Sequence, residues 1–340
     1  MPAVRADHLY KVFGKQSRAA VERLSDGSHR DTIADLDVTA AVIDVSFEVE
    51  PGEIFVVMGL SGSGKSTLIR MLNGLLEPTA GTVEIDGVDI TALDKKSLLK
   101  LRGEKISMVF QHFALLPHRT VLENAAYGLE LRGLPRGERY EKAHETLGLV
   151  GLGGWEDKFP HQLSGGMQQR VGLARALAAD TDIVLMDEAF SALDPLIRRD
   201  MQTQLIELQA SLGKTIVFIT HDLNEAMRLG DRICVLRDGR VAQIGTAQEI
   251  LSKPANDYVE RFIEDVDRTR VLTAVSVIDP DAPAAGADAP RVAADTPVAD
   301  LYSSASSSDS LRVVAEDGSV LGTVTRSSVL AALGSGKETL

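Results

Sequence analysis

The residues with the clearest chemistry lie in one glycine-rich run, Gly-Leu-Ser-Gly-Ser-Gly-Lys-Ser-Thr, at positions 59–67. This is the G-x-x-x-x-G-K-[ST] spacing, in which backbone N–H groups surround the phosphates of a nucleotide. Lys65 supplies a cation for the β- and γ-phosphates, and the Ser66 hydroxyl supplies an oxygen ligand for Mg²⁺. We therefore predict a phosphate site formed by Gly59, Ser61, Gly62, Ser63, Gly64, Lys65, Ser66 and Thr67.

A strand and a helix must position this loop. The apolar run 54–58 predicts a buried strand before it, and the segment 67–72 predicts a helix after it. The glycines permit unusual backbone angles, and a helix N-terminus favours anionic oxygens. An ordinary glycine-rich turn before a helix is the structural alternative.

A second candidate site is the acidic pair Asp187-Glu188, which ends the apolar run 183–186. In a phosphate-loop ATPase the first acid holds Mg²⁺ and the second orients and polarises the attacking water. An acidic pair after a strand is, taken alone, more typical of a helix N-cap. Its place downstream of the glycine-rich loop favours the metal and water roles.

Composition sets limits on the function. The 340 residues predict one large domain and a smaller one. The net charge of −13 argues against nucleic acid as the main partner, because phosphate backbones select basic faces. The single cysteine, Cys234, lies in an apolar run and predicts a buried, inert thiol. No segment has the apolar length of a membrane span, and the charged N-terminus is unlike a signal peptide, so a membrane role requires a partner.

The pattern of apolar residues changes along the chain. Short strands are predicted within 41–58 and 82–90, with Asp86-Gly87 as a hairpin turn. A helical period follows from 120 to 180. Three apolar runs then alternate with helical segments, which indicates a parallel sheet; the runs are Ile183–Met186, Ile216–Ile219 and Ile233–Leu236.

Residues 15–40 interrupt the first strands with a polar, helix-compatible insertion. Its apolar positions are Ala19, Val21, Leu24, Ile33 and Leu36.

The C-terminal part begins after a hairpin turn at Asp238-Gly239. Thr246–Leu251, with Thr246 as N-cap, and Asp257–Ile263 are predicted as closing helices. The stretch 279–299, rich in Ala, Pro and Asp, has the composition of a linker. A small hairpin with its turn at Asp317-Gly318, followed by a helix, is predicted beyond it.

A third motif, Leu163–Arg170, places a Ser-Gly-Gly turn before a helix and resembles the signature motif of ATP-binding-cassette ATPases. Three other family elements are present, and all of the motifs occur along the chain in the order that the family has. Gln111 matches the glutamine that contacts Mg²⁺, Asp194 matches the loop that crosses the dimer interface, and His221 matches the histidine that reaches the γ-phosphate. Taken singly, each has a structural alternative: a solvated strand end, a helix N-cap and a satisfied histidine.

Residues 4–266 resemble the ATP-binding subunits of quaternary-amine importers, which carry glycine betaine, proline betaine or choline. The likeness rests on the chain start 9–14, the insertion at 15–40, the phosphate loop and the run 186–198. The resemblance implies an α/β, P-loop NTPase fold with a RecA-like core, an antiparallel β subdomain and a helical subdomain at about 112–180.

The resemblance also implies the site. ATP would lie between two copies of the chain, with Lys65, Ser66, Gln111, Asp187, Glu188 and His221 on one side and Ser164, Gly165 and Gly166 on the other. Ser66, Gln111 and Asp187 would surround Mg²⁺, and Glu188, His221, Lys65 and Gln111 would act in catalysis. Phe13 occupies the place of the aromatic residue that stacks on adenine, with Tyr10 in reserve and a core role for Phe13 as the alternative.

Residues 296–340 resemble a single cystathionine-β-synthase-type (CBS) repeat, a small α+β unit, joined through a linker at 267–295. The family usually carries two repeats, and the first is reduced here to the linker. Ser328 stands where nucleotide-binding repeats often place Asp. Two open alternatives are pairing of single repeats across a dimer and a structural remnant.

The expected partners are a second ATPase subunit, integral membrane permease subunits and a substrate-binding protein, with the chain peripheral at the cytoplasmic face of the inner membrane. Three alternatives remain: an importer for methionine or polyamines, a soluble cassette ATPase acting in translation or DNA repair, and a non-catalytic regulatory module. The last is disfavoured because both Lys65 and Glu188 are in place.

Overall fold

The computed structural model describes residues 1–28, 30–111, 114–264, 266, 268–286, 289–315 and 317–334. His112 and Phe113, at the start of the predicted helical subdomain, lie outside these residues, as do Glu316 and 335–340 of the predicted CBS-like repeat. The chain packs as two compact units, Met1–Ile244 and Gly245–Leu340.

The first unit contains a four-stranded sheet with the order β2-β1-β4-β5, in which each neighbouring pair is antiparallel. Asp86 and Gly87 both have positive φ and form the turn between β4 and β5, which confirms the predicted hairpin. The strands of this sheet are β1 (Val4–Phe13), β2 (Thr39–Val49), β4 (Ala80–Ile85) and β5 (Val88–Asp89).

A six-stranded sheet has the order β10-β9-β3-β8-β7-β6. The pairs β9-β3, β3-β8, β8-β7 and β7-β6 are parallel, as the three apolar runs predicted. Strands β3, β7 and β8 are buried at every residue, which explains their continuous apolar sequence. The strands are β3 (Ile54–Met58), β6 (Ile106–Val109), β7 (Ile183–Asp187), β8 (Thr215–Thr220), β9 (Arg232–Arg237) and β10 (Arg240–Gly245).

The two sheets share one hydrophobic core. Phe47 of β2 and Phe55 of β3 stack at 4.9 Å between ring centroids, and Leu68 and Leu72 are fully buried in the same cluster. The helices of this part of the unit are α1 (Ser17–Leu24), α2 (Lys65–Leu72), α3 (Lys95–Lys105), α8 (Pro195–Leu212) and α9 (Leu223–Leu229).

The insertion at 15–40 folds as α1 and a 3-10 helix, Arg30–Leu36. Leu24, Ile33 and Leu36 are buried against β1 and β2, as their spacing predicted. Ala19 is exposed instead, and Ala20 takes the buried position. The sequence offers Ala at both positions, so only the rotation of the short helix on its neighbours decides between them.

The predicted helical segment contains α4 (Val121–Ala125), α5 (Tyr127–Leu131), α6 (Arg136–Leu149) and α7 (Gly165–Ala178), with a 3-10 helix at Pro160–Gln162. Thr120 and Glu123 form a capping box at the start of α4. The side chain of Asn124 is fully buried and bonds the backbone of Leu116, Arg119 and Thr120, which fixes the loop that enters this segment.

The second unit has its own small core, which includes Ala274, Val298, Leu311 and Val324. Strand β12 pairs with β11 in parallel and with β13 in antiparallel, and the second pairing is the predicted hairpin. The elements of this unit are α10 (Ala247–Ser252), α11 (Asp257–Phe262), α12 (Arg268–Val271), a 3-10 helix (Ala274–Val277), β11 (Arg291–Ala293), α13 (Val298–Ser307), β12 (Ser310–Val314), β13 (Val320–Thr325) and α14 (Arg326–Gly334).

The structure differs from the linker that we predicted at 267–295. Ala274 and Val277 are buried in the core of the second unit. Asp279 N–H donates to the backbone oxygen of Thr323 at 2.9 Å. Ala285 N–H donates to the hydroxyl of the same residue, also at 2.9 Å. These contacts join most of the segment to the second unit. The apolar run 271–278 is the sequence signal for this packing, whereas 279–290 has the composition of a linker.

The division of the chain also falls at a different point from the boundary that we predicted at 266. Helices α10 and α11, expected to close the ATP-binding domain, group with the C-terminal unit. Gln248 of α10 donates to the Thr273 hydroxyl at 3.0 Å within that unit.

Candidate functional site

The glycine-rich loop connects β3 to α2, as the sequence predicted. Gly64 has φ of 101°, and a Cβ there would lie 2.2 Å from the carbonyl oxygen of Ala41. A Cβ at Gly59 would lie 2.4 Å from the carbonyl oxygen of Leu236. Glycine is therefore required at both positions, because side chains would displace neighbouring backbone.

Lys65 is buried, and its Nζ donates to the carbonyl oxygens of Gly59 and Leu60 at 2.8 and 3.1 Å. Burial lowers the pKa of this ammonium group, opposed by the charges of Glu188 and Asp187. The hydroxyl of Ser63 is buried without a partner among the described residues. The loop thus presents a desolvated cation and an unsatisfied hydroxyl, which fits a phosphate group.

Asp187 ends β7, and its Oδ1 accepts a hydrogen bond of 3.2 Å from the hydroxyl of Ser66. Burial raises the pKa of Asp187. Within the described part of the chain, no group of three or more His, Cys, Asp and Glu side chains gathers as a metal site. A hydroxyl beside one carboxylate suits Mg²⁺, which is usually bound through one or two carboxylates, waters and substrate phosphates.

Glu188, His221 and Gln111 meet in one cluster. Oε2 of Glu188 lies 3.1 Å from Nδ1 of His221 and 3.3 Å from Nε2 of Gln111. The structure therefore brings together three residues that the sequence predicted for catalysis. Their elements explain this, because β6, β7 and β8 are parallel neighbours whose carboxyl ends lead to these residues.

The backbone of Glu188 is held in an uncommon conformation. Its φ of 46° lies in the left-handed region, which costs a non-glycine residue about 1–3 kcal/mol. Its N–H donates to Ile219 O at 3.0 Å, and its carbonyl oxygen accepts from the Ser191 hydroxyl at 2.9 Å. Sequence reasoning did not assign this role to Ser191, since only the fold shows that its side chain turns back to Glu188.

A cavity of about 630 Å³ lies over the loop. Sequence reasoning missed Ala41 and Leu60, because neither carries a reactive group. Four predicted site residues are absent from the lining of this cavity among the described residues: Gly59, Ser63, Gln111 and Asp187. The lining residues are Ala41, Leu60, Ser61, Gly62, Gly64, Lys65, Ser66, Thr67, Glu188 and His221.

Ser164, Gly165, Gly166 and Asp194 do not line that cavity in the described chain. Ser164 caps α7 by accepting from Met167 N at 3.3 Å, and Asp194 caps α8 by accepting from Leu196 and Ile197. Ser164, Gly165 and Asp194 are exposed, whereas Gly166 is buried. The capping role that the sequence left open for Asp194 is therefore present.

The two candidate stacking aromatics have different environments. Tyr10 is 5% exposed and packs in the cluster that buries the insertion, together with Leu24 and Ile33. Phe13 is 44% exposed, and Lys11 Nζ lies 5.3 Å from its ring centroid. Of these two residues, Phe13 is the one with a face available, although it does not line the cavity over the loop.

Comparisons with known proteins agree with these features. A family model described as "ABC transporter" matches residues 42–191. The glycine betaine transport ATP-binding protein OpuAA of Bacillus subtilis is 60% identical over 274 residues, 80% of this chain and 65% of that protein, so the chain spans just under two thirds of its length. The glycine betaine/carnitine transport ATP-binding protein GbuA of Listeria monocytogenes is 56% identical over 295 residues, 86% of this chain and 74% of that protein.

A solved structure is similar as well. It is the dimeric, post-hydrolysis state of the ATP-binding cassette MJ0796 bound to ADP and Pi, with a TM-score of 0.61, 34% identity, and coverage of 72% of this chain and 98% of that chain. The identity to GbuA over most of both proteins, together with the phosphate loop and the Glu188–His221 pair, shows that the chain belongs to the ABC transporter family, as one of its ATP-binding proteins.

Proposed function

We propose that this chain is the ATP-hydrolysing subunit of an importer for a quaternary-amine osmoprotectant, of the class of glycine betaine, proline betaine and choline. The contact of Glu188 with His221 beside the phosphate loop carries the hydrolytic part of this proposal. The substrate class follows from the names of the two transport relatives.

ATP is the substrate, and the loop amides from Ser61 to Thr67 bind its phosphates. Lys65 turns from the Gly59 and Leu60 carbonyls to the β- and γ-phosphates, where a charged acceptor replaces two neutral ones. Ser66, Asp187 and Gln111 would hold Mg²⁺, which when bound neutralises phosphate charge.

Hydrolysis then depends on Glu188. Its carboxylate orients a water molecule for attack on the γ-phosphate and accepts the water proton. His221 and Gln111 contact Oε2, which fixes the rotamer of the carboxylate. Phe13 stacks on the adenine ring, and Tyr10 is not needed for this role.

The complete site requires two copies of the chain. Ser164, Gly165, Gly166 and Asp194 lie outside the cavity that Glu188 and His221 line, and we infer that these four residues close over ATP held by a second copy. The dimeric state of MJ0796 supports this arrangement. Two copies with ATP between them exclude water more fully than one open cavity.

A groove of about 830 Å³ in the first unit is the proposed contact with an integral membrane permease. Exposed apolar residues line it, including Leu99, Phe110 and Leu131, and Phe110 directly precedes Gln111. A permease that contacts Phe110 would act directly on the next residue, Gln111, whose side chain contacts Glu188. Among the described residues, no helix has the length and apolarity to cross a bilayer. We propose a peripheral position at the cytoplasmic face of the inner membrane, in a complex that includes a substrate-binding protein.

Three measurements test the proposal. The purified chain should hydrolyse ATP in the presence of Mg²⁺, and Glu188→Gln should form an ATP-dependent dimer on size exclusion. A deletion strain should lose uptake of radiolabelled betaine or choline and keep uptake of methionine. Absence of ATP hydrolysis would overturn the enzymatic assignment, whereas selective loss of methionine uptake would replace the proposed substrate class.

A further inference from the structure

Arg198, in the first turn of α8, contacts two separate loops. Its Nη2 donates to the carbonyl oxygens of Ser191 and Leu193 at 3.4 and 3.1 Å. Its Nη1 donates to Oδ2 of Asp222 at 3.1 Å. One guanidinium therefore joins the loop that follows β7 to the start of α9, which follows β8.

Each of these loops is attached to one member of the catalytic pair. Ser191 bonds the carbonyl oxygen of Glu188 through both its hydroxyl and its N–H, at 2.9 and 3.1 Å. Asp222 directly follows His221, and its N–H donates to the Thr220 hydroxyl at 2.9 Å. A closed path of contacts thus runs from Glu188, through the guanidinium, to His221.

Helices α8 and α9 support the two ends of this path. Gln202 of α8 donates to Oε1 of Glu225 in α9 at 3.0 Å, and both side chains are buried. Arg228 donates back to Oε1 of Gln202 at 3.2 Å. Asp222 also caps α9 by accepting from Glu225 N at 3.1 Å. Asp222, which accepts from Arg198, is therefore held in place by its capping bond to α9.

We propose that Arg198 is a positioning residue for ATP hydrolysis, which holds the two loops at the separation where Glu188 and His221 meet. This inference rests on the hydrolytic function proposed above. Arg198 does not line the phosphate cavity, so its effect should appear in turnover rather than in nucleotide binding. A planar guanidinium is suited to this role because its fork reaches acceptors on both loops, whereas a lysine ammonium is a single point.

The experiment uses the full chain and measures steady-state ATP hydrolysis, the KM for ATP and the melting temperature. The variants are Arg198→Met, Arg198→Lys, Asp222→Asn and the double variant Arg198→Met/Asp222→Asn. Arg199→Met is the matched control, because Arg199 is the exposed neighbour on the same helix. The Asp222→Asn substitution keeps an N-cap acceptor for α9 while it removes the charge that faces Arg198.

We expect Arg198→Met to lower kcat at least tenfold, which corresponds to about 1.4 kcal/mol of transition-state stabilisation, with KM for ATP changed less than twofold. Arg198→Lys should recover part of kcat. The double variant should be no slower than Arg198→Met alone. Asp222→Asn weakens only the contact with Arg198, which Arg198→Met has already removed. Arg199→Met should match the parent.

Three results would overturn the inference: kcat of Arg198→Met within twofold of the parent, losses that multiply in the double variant, or a fall in kcat explained by the unfolded fraction at the assay temperature. If Arg198→Met does not fold, Arg198→Lys and Asp222→Asn carry the test through the same split between kcat and KM. A parent chain without ATPase activity would refute the proposed function instead.

Discussion

Nδ1 of His221 lies 3.1 Å from Oε2 of Glu188, although 33 residues separate them in sequence. The parallel pairing of β7 and β8 sets Asp187 opposite Ile219, so Glu188, one residue later, and His221, two residues later, leave the sheet at the same edge. Glu188 N–H then donates to Ile219 O. The sheet therefore assembles the pair, and the loops after each strand adjust it.

Replacement of Glu188 by Gln should leave ATP binding intact and lower kcat at least a hundredfold, on the order that a general base contributes. Gln preserves the shape of the side chain but cannot accept the water proton. Equilibrium binding and phosphate release measure the two effects separately. Glu207→Gln, at an exposed position of α8, is the matched control. Hydrolysis near the parental rate would show that Glu188 has another role.

Lys65→Ala should weaken ATP binding by about tenfold or more, since a charged hydrogen bond to phosphate contributes about 1.5–3 kcal/mol. Hydrolysis should fall with it. Titration with a fluorescent ATP analogue measures the affinity, and Lys96→Ala provides an exposed lysine as the control. Unchanged affinity would contradict the phosphate-binding role of the loop.

Asp187→Asn should stabilise the chain at neutral pH in the absence of nucleotide and Mg²⁺, while it impairs Mg²⁺-dependent hydrolysis. Burial raises the pKa of this carboxyl above its ordinary value of 3.8. The contribution of Asp187 to folding is therefore most favourable below pH 3.8 and is lost as pH rises through the raised pKa. The melting temperature of the variant should exceed that of the parent at pH 7, and the difference should narrow in acid. A lower melting temperature at pH 7 would refute this assignment.

Removal of residues 267–340 should leave basal ATP hydrolysis within about twofold of the parent. No predicted catalytic or phosphate-binding residue lies there. A second truncation, after Ile244, tests the other boundary. If hydrolysis survives only in the longer fragment, the ATP-binding domain extends past the division between the two units at 244 and 245. Loss of hydrolysis in both fragments would contradict the expectation that catalysis is independent of the C-terminal residues.

The C-terminal unit should also be tested in the assembled transporter, by uptake across a series of salt concentrations. If 296–340 is a regulatory sensor, the truncated transporter should lose its response to ionic strength and keep transport. An unaltered salt response would make residues 296–340 a structural remnant.

The comparisons and the fold confirm the predicted family and its α/β architecture. Continuous apolar runs such as 183–186 predicted buried parallel strands, because a strand covered on both faces has no polar alternation. Two-residue turns such as Asp86-Gly87 predicted hairpins, because their backbone angles restrict residue choice. The segment 267–295 differed. Its first part, the apolar run 271–278, packs into the core of the second unit, and its later part is held by hydrogen bonds of backbone groups that composition does not reveal.

The sequence by itself predicted the phosphate loop, because the spacing of its glycines is visible in the chain. The structure gives the physical reason for that spacing: a Cβ at Gly64 would lie 2.2 Å from the carbonyl oxygen of Ala41. The sequence also predicts Glu188, His221 and Lys65 as the acid, histidine and lysine of the reaction, and this stays a prediction, which the variants above test at Glu188 and Lys65. The tertiary structure alone decided that Tyr10 is buried and Phe13 exposed, and that Arg198 joins the loops on which Glu188 and His221 depend. These outcomes depend on distances between segments far apart in sequence, which are set by packing and strand register rather than by the type of any one residue.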